Sequence, residues 1–278
     1  MAPVSVKASQ TLVIIGQGYV GLPLAMAAVE AGWKVIGVDN FAPKVAQINS
    51  GFSPIEDVSD ERLQAALSKG NYKASSDFSS VSEASVITIC VPTPLDDKRE
   101  PDISLLRSAA AGIAPFLSNE VLIVSESTSY PGTLRDVIIP TINSLKPNDS
   151  INIYFASAPE RVDPGNQKWN LRNTPRLVGG VDAESQKRAL KFYESICGAV
   201  VPVLTPEVAE AAKLLENTFR LVNIGLVNEF TQLCFLKGIN VHDVIDAAAT
   251  KPYGFMPFRP GVGVGGHCIP VDPLYLTW

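Results

Sequence analysis

Leu12-Val13-Ile14-Ile15-Gly16-Gln17-Gly18-Tyr19-Val20-Gly21 is followed, after the apolar stretch Leu22 to Ala31, by Val35-Ile36-Gly37-Val38-Asp39. The first four residues form a short apolar run of the kind a strand buried on both faces needs. A glycine turn comes next, then a helix that Gly32 stops, then a second strand ending on a carboxylate. This order predicts a βαβ unit that binds a dinucleotide. Gly16 permits the tight turn, and Gly18 lets a pyrophosphate approach the backbone. Tyr19 and Val20 complete the turn and count among the cofactor-binding residues, and Gly21 lets helix and strand pack closely. The helix N-terminus offers unpaired N–H groups and a positive dipole end to the phosphates. Asp39 lies about 20 residues on, where a carboxylate can bond both ribose hydroxyls. It would repel a 2′-phosphate and no arginine stands beside it, so NAD is expected rather than NADP. A tight turn without a ligand is the plainer alternative.

The alternation continues downstream. Val86 to Val91, Val121 to Val124 and Ile151 to Phe155 read as further strands. The fold class is therefore α/β, a Rossmann-like doubly wound parallel sheet. Ligands of such sheets sit beyond the carboxyl ends of the strands. Thr93, Thr128 and Glu160 each follow a strand end and are placed to face one, though turn capping would use the same residue types. Asp96 to Asp102 reads as a charged, solvated loop, and Pro147 to Ser150 as a turn.

A different architecture begins at Thr205. Thr205 is suited to cap a helix, Pro206 to its first position and Glu207 to its first turn. Gly238 suits its end. The result is one helix of about 33 residues, ~50 Å long. Val208, Ala211, Leu215, Phe219, Val222, Leu226 and Leu233 form its apolar stripe, which could pair with a second copy in a homodimer. Asn240 to Thr250 reads as a shorter helix. The expected division is residues 1–204 for the nucleotide domain and residues 205–278 for a helical central domain with one long helix.

The sharpest chemical signal stands near the end, in Gly261-Val262-Gly263-Val264-Gly265-Gly266-His267-Cys268-Ile269-Pro270-Val271-Asp272-Pro273. Glycines bring backbone close to a ligand, and the thiol at their end is a candidate covalent nucleophile. A buried, inert cysteine is the alternative. Lys213, Asn217 and Arg220 share one face of the long helix and could offer N–H donors to negative charge on a substrate oxygen, or be a solvated face.

The whole sequence narrows the classes. A net charge of −5 implies no basic surface for nucleic acid. No segment approaches the ~18 apolar residues of a membrane span, and no export signal is visible at the N-terminus. Cys90, Cys197, Cys234 and Cys268 show no CxxC spacing, and His242 and His267 are the two histidines. Neither a structural zinc nor a disulfide framework is expected, and reduced thiols suit a cytoplasmic protein.

Taken together, Gly16 to Gly21, Val91-Pro92-Thr93-Pro94, Ser127-Thr128, Pro159-Glu160-Arg161, Lys213-Leu214-Leu215-Glu216-Asn217 and Gly265-Gly266-His267-Cys268 resemble the UDP-glucose/GDP-mannose dehydrogenase family. The Glu100-Pro101-Asp102 loop, the run Glu160 to Asn166 and the Gly-Gly-His-Cys segment are similar to its UDP-N-acetylhexosamine branch, and His267 reads as a marker of that branch near the substrate. The resemblance implies NAD-dependent, four-electron oxidation of C6 of a UDP-sugar to a uronic acid for surface polysaccharide precursors. By the same resemblance, Cys268 would attack the C6 aldehyde, a thiohemiacetal would become a thioester, and water would hydrolyse it. Lys213 and Asn217 would stabilise the C6 oxyanion, Asp272 would hold Lys213 and a water, Glu160 would serve thioester hydrolysis, and Thr128 would position water. Arg161, Arg220, Gly265 and His267 are expected near the substrate, and Arg259 could clamp a phosphate. The run Arg161 to Asn166 favours UDP-GlcNAc. UDP-ManNAc or UDP-glucose oxidation, a two-electron β-hydroxyacid dehydrogenase and a catalytically silent NAD-binding fragment are the other readings. Two departures stand out. Ala158 precedes Pro159 where the family often has Ser, and the family's further UDP-holding domain does not follow Trp278 in this sequence.

Overall fold

The computed structural model describes residues 10–162, 166, 168–266 and 268–276. The chain divides into two compact units, one holding the chain up to Pro94 together with Asp102–Lys213, the other holding Leu95–Pro101 and the chain from Leu214 on.

In the first unit the chain runs through β1 (Thr11–Ile15), α1 (Gly21–Glu30), β2 (Lys34–Val38), α2 (Ala42–Asn49), α3 (Asp60–Ser68) and β3 (Tyr72–Ser75). It continues through β4 (Val86–Ile89), α4 (Ser104–Ile113), β5 (Val121–Ser125), α5 (Ile139–Leu145) and β6 (Ile153–Ser157). β7 (Arg176–Gly180), α6 (Ala183–Ile196) and β8 (Val200–Pro202) complete the sheet. The strand order is β3-β2-β1-β4-β5-β6-β7-β8. The chain leaves β1 in one direction toward β3 and then returns to place β4 on the other side, so the switch point lies between β1 and β4.

The strands from β3 to β6 pair in parallel, as the doubly wound reading requires. β7 is the exception and runs antiparallel to β6. A parallel pair needs a crossover, usually helical, and no helix is described between β6 and β7. α6 then supplies a crossover, and β8 pairs in parallel with β7.

The apolar runs are continuous because the central strands are covered on both faces. Leu12 and Ile14 belong to one core, Val13 and Ile15 to the other, as the two-residue period of a strand dictates. Leu22, Leu24 and Ala28 of α1 fill the first core, and Leu106, Ala110 and Ile113 of α4 the second. Each fully buried Leu or Ile contributes about 1.5–3 kcal/mol. α6 starts cleanly because the Asp182 carboxylate accepts the Ser185 N–H at 2.8 Å.

α7 (Pro206–Leu236) spans 31 residues, close to the helix expected between Thr205 and Gly238. Gly238, at φ 67°, takes the left-handed conformation suited to a helix end. α7 begins in the first unit and continues into the second. α8 (Val241–Ala249) follows, capped by the Asn240 side chain, which accepts the His242 N–H. Val227 and Cys234 of α7 form a small core with Val241 and Ile245 of α8. The expected apolar stripe is a different face: Val208, Leu215, Phe219, Val222, Leu226 and Leu233 are exposed. Periodicity identifies an apolar face but not what covers it. Among the described residues no helix is long and apolar enough to cross a membrane.

Candidate active site

The glycine turn sits at the carboxyl end of β1. Gly16 has φ 96°, and a Cβ there would stand 2.6 Å from the Cys90 carbonyl oxygen. A Cβ on Gly21 would meet the Gly16 oxygen at 1.9 Å, so α1 can approach the turn this closely only with glycine. Gly18 differs: a Cβ there would meet nothing within 4 Å, which leaves open space over the backbone. Tyr19 is exposed and Val20 half-buried beside it. Gln17 points inward. Its amide donates to the Ile14 carbonyl at 3.0 Å and accepts the Tyr72 hydroxyl at 2.7 Å.

Asp39, at the end of β2, is buried and already well partnered. It accepts the Gln17 N–H at 2.9 Å, the Phe41 N–H at 3.0 Å and the Lys44 ammonium at 2.8 Å. Burial pushes its carboxyl up, but Lys44 and the two backbone donors outweigh that and hold it below the usual range. Lys44 escaped the sequence reading, which looked only for arginine. Its place in the first turns of α2, five residues past Asp39, was the available signal. Open space above Gly18, a helix N-terminus and an ionised Asp39 fit a dinucleotide.

The ends of β4, β5 and β6 bring further residues to the same edge of the sheet. Ser127 donates to the Val91 carbonyl at 2.8 Å, so it ties the segment carrying Thr128 to the one carrying Thr93. Both threonines are half-buried. Glu160 accepts the Arg161 and Val162 N–H groups at 2.6 and 2.8 Å and an Arg176 guanidinium nitrogen. Arg161 itself donates to the Pro175 carbonyl at 2.7 Å. Behind Glu160, Arg176 also donates to Glu126 at 3.2 Å. Glu126 and Arg176 are among the polar residues that sequence reasoning missed. Glu126 occupies a strand end, like Thr128 and Glu160, but Arg176 begins a strand whose antiparallel pairing no local pattern announces.

Lys213 lies half-buried on α7 in the first unit. Three residues before it, Glu210 is 2% exposed and accepts the Gly132 N–H at 2.7 Å and the Leu134 N–H at 3.3 Å. Glu210 thus anchors the start of α7 to the loop that follows Thr128.

The second unit carries the cysteine turn. Gly265 and Gly266 have φ of 65° and 76°, a conformation other residues rarely adopt. Cys268 is exposed, whereas Cys90, Cys197 and Cys234 are buried. The Cys268 carbonyl accepts the Val271 and Asp272 N–H groups at 3.1 and 2.8 Å, so Asp272 is one tight turn from the thiol. Asp272 is buried and accepts the Asn217 amide of α7. Lys213, which the resemblance assigned to Asp272, falls in the other unit. The Gly261 N–H donates to Asn228 at 3.0 Å, which fixes the glycine run to the helix. Arg259 pairs with Asp246, and Arg220 is exposed. His267 lies outside the described residues. Among the described residues no three His, Cys, Asp or Glu side chains are placed to hold a metal.

Residues 10–197 match the NAD binding domain of the UDP-glucose/GDP-mannose dehydrogenase family, and residues 207–278 match its central domain. The UDP-N-acetyl-D-mannosamine dehydrogenase of Pyrococcus horikoshii is 37% identical over 266 residues, 95% of this chain and 63% of that protein. The UDP-N-acetyl-D-glucosamine 6-dehydrogenase of Salmonella typhi is 35% identical over 269 residues, 96% of this chain and 62% of that protein. A solved structure of the P. horikoshii UDP-D-ManNAc dehydrogenase superposes with a TM-score of 0.88 at 37% identity, covering 96% of this chain and 63% of that one. The chain therefore spans less than two thirds of the length of these relatives. With both of its family models matched in order, the chain belongs to the UDP-glucose/GDP-mannose dehydrogenase family.

Proposed function

We propose that the chain carries the NAD-binding and cysteine-bearing portions of an NAD-dependent UDP-N-acetylhexosamine 6-dehydrogenase, which oxidises C6 of the sugar from alcohol to carboxylate. The observation that carries this reading is the exposed thiol of Cys268 on a glycine turn, one tight turn from a buried Asp272 bonded to Asn217. NAD+, when bound, would supply the hydride acceptor, and two NAD+ in succession, one for each oxidation, would account for four electrons. Gly16, Gly18, Tyr19, Val20, Gly21, Asp39, Thr93 and Thr128 would hold it. Lys213 and Asn217 donate to the C6 oxygen as negative charge develops there, and Asp272, which fixes the Asn217 amide, holds the water that takes the hydroxyl proton. The Cys268 thiolate adds to the C6 aldehyde, so the intermediate stays attached. The resulting thiohemiacetal is oxidised to a thioester, whose C–S bond water breaks to release carboxylate and thiol. Glu160 takes the proton of that water, and Thr128 orients it. Arg161, Arg220, Arg259, Gly265 and His267 are assigned to the sugar nucleotide.

The related proteins are named for both mannosamine and glucosamine substrates. UDP-GlcNAc is favoured on the sequence run Arg161 to Asn166, of which residues 163–165 lie outside the described residues. The exposed stripe of α7, with Leu215, Val222 and Leu226, is proposed as the face of a homodimer, and a cytoplasmic setting is proposed from the cysteine usage.

The test is mass spectrometry of the Glu160→Gln variant incubated with NAD+ and, in turn, UDP-GlcNAc, UDP-GalNAc and UDP-ManNAc, in the presence of the C-terminal portion of a relative. An adduct on Cys268 identifies the nucleophile and the sugar. Undiminished oxidation by Cys268→Ala would favour a two-electron dehydrogenase. NAD binding with neither adduct nor oxidation would leave a silent fragment.

A further inference from the structure

Behind Glu160 lies a buried charge cluster that this chemistry does not use. Arg176 opens β7 and is 3% exposed. One terminal nitrogen of its guanidinium donates to Glu160. The other donates to Glu126 at 3.2 Å and to the Ala158 carbonyl at 3.0 Å. Glu126 is 1% exposed, and its second oxygen accepts the Tyr193 hydroxyl of α6 at 2.6 Å. The Tyr193 ring lies 5.3 Å from the guanidinium carbon. Two thiols complete the titratable surroundings, Cys90 after β4 and Cys197 after α6. Burial pushes both up, so both are neutral near pH 7.

We propose that Arg176 is a positioning residue for Glu160, and that Glu126 and Tyr193 set the strength of its hold by competing for the same guanidinium. The proposal rests on the reading of Glu160 as the group that serves thioester hydrolysis. Two carboxylates around one guanidinium would leave a net negative charge in a site with little water, and one proton relieves it. Burial pushes Glu126 up to about 7. Burial also pushes Glu160 up, but Arg176 and the Val162 and Arg161 N–H groups outweigh it and hold Glu160 below the usual carboxylate range. Of the two carboxyls, Glu126 is therefore the one that takes up the proton as pH falls through about 7, while Glu160 stays ionised. When Glu160 accepts a proton from the attacking water, Glu126 can release its own, so that the carboxylate facing the other Arg176 nitrogen becomes the counter-charge. A lone Arg176–Glu160 pair would hold Glu160 more tightly and make it a weaker base.

The test is carbon-13 NMR titration of glutamate carboxyls in the whole chain, with Glu160 identified by its loss in Glu160→Gln. In the unmodified chain Glu160 titrates below the ordinary glutamate value. Glu126→Gln, which is isosteric, moves it lower still, and Tyr193→Phe moves it the same way by less. Arg176→Lys, which keeps charge but loses the fork, moves it up. An unchanged Glu160 in both Glu126→Gln and Tyr193→Phe overturns the proposal even if Arg176→Lys fails to fold. In the presence of the C-terminal portion of a relative, Arg176→Lys should accumulate the Cys268 thioester with about tenfold lower kcat and unchanged KM. If Glu160 titrates as expected but no variant, Glu160→Gln included, forms a thioester, the coupling stands and the hydrolytic reading falls. If Glu160→Gln traps the thioester while Glu160 ignores Glu126, the reading stands and the coupling falls.

Discussion

The Asn217 amide donates to the Asp272 carboxylate, which bonds the middle of the long helix to the turn that begins at Cys268. Asp272 is 3% exposed, so water cannot readily replace it. Asp272→Ala should leave the amide without its charged acceptor and cost about 1.5–3 kcal/mol in urea unfolding. Asn217→Ala removes the other partner. If the two groups bond as described, the double variant loses less than the sum by about 1 kcal/mol or more. Strictly additive losses would show that the pair does not interact.

The glycines of the first turn separate folding from binding. Gly18→Ala places a methyl in open space and should change stability by no more than about 0.5 kcal/mol. It should weaken NAD binding about tenfold or more, because the methyl occupies the approach to the backbone. Gly21→Ala drives a methyl to 1.9 Å from the Gly16 oxygen and should damage both fold and binding. Calorimetric NAD titration alongside thermal unfolding reads the contrast. Full NAD affinity in Gly18→Ala would place the cofactor elsewhere.

Lys44 changes the argument about cofactor choice. Its ammonium stands 2.8 Å from the Asp39 carboxylate, so removing Asp39 exposes a cation as well as deleting an anion. Asp39→Ala should weaken NAD binding about tenfold to a hundredfold and improve NADP relative to NAD. Adding Lys44→Ala should abolish the NADP gain. Retention of that gain in the double variant would mean that Lys44 plays no part in it.

Local sequence made the turn after β1 legible because each structural demand there is local. Gly16 answers a turn, Gly21 a close approach, and Asp39 a fixed distance along one βαβ unit. Arg176 and Glu126 had no such signature. They meet because β7 turns back against β6, across a connection in which no helix is described. The long helix was similarly half-readable. Its caps fixed its ends, but Leu215 and Val222 repeat at helical spacing whether or not the chain itself covers them, and here they are exposed.

Glu210 gives the fold a pH dependence of known sign. Burial pushes its carboxyl from 4.5 up to about 7, against the Gly132 and Leu134 N–H groups that favour the ionised form. The folded chain therefore binds this proton more tightly than the unfolded chain does. Its contribution to stability is largest below pH 4.5, declines as pH rises toward about 7 and is flat above. Glu210→Gln removes the titration, so the stability of the parent minus that of the variant should fall across that window. At pH 8 the variant should also lose about 1–2 kcal/mol, since one amide N–H₂ now faces a backbone donor. A pH-independent difference in urea midpoints would contradict the assignment.

Cysteine exposure yields a prediction that needs no substrate. Alkylation requires access and a thiolate. Cys90, Cys197 and Cys234 are 8%, 6% and 3% exposed, and burial raises Cys90 strongly and Cys197 to about 11. Cys268 alone of the four is exposed. Brief iodoacetamide treatment of the folded chain should therefore add one carbamidomethyl group, located by peptide mass on Cys268. Cys268→Ala should take none until urea unfolds it, after which the three remaining thiols react together. Because Cys90 and Cys197 lie beside the Arg176 cluster, their late reaction also reports that the cluster stays closed. Modification of either at the rate of Cys268 would mean that this core opens in the native state, and a Cys268 that resists the reagent would remove the accessible nucleophile on which covalent capture of the sugar depends.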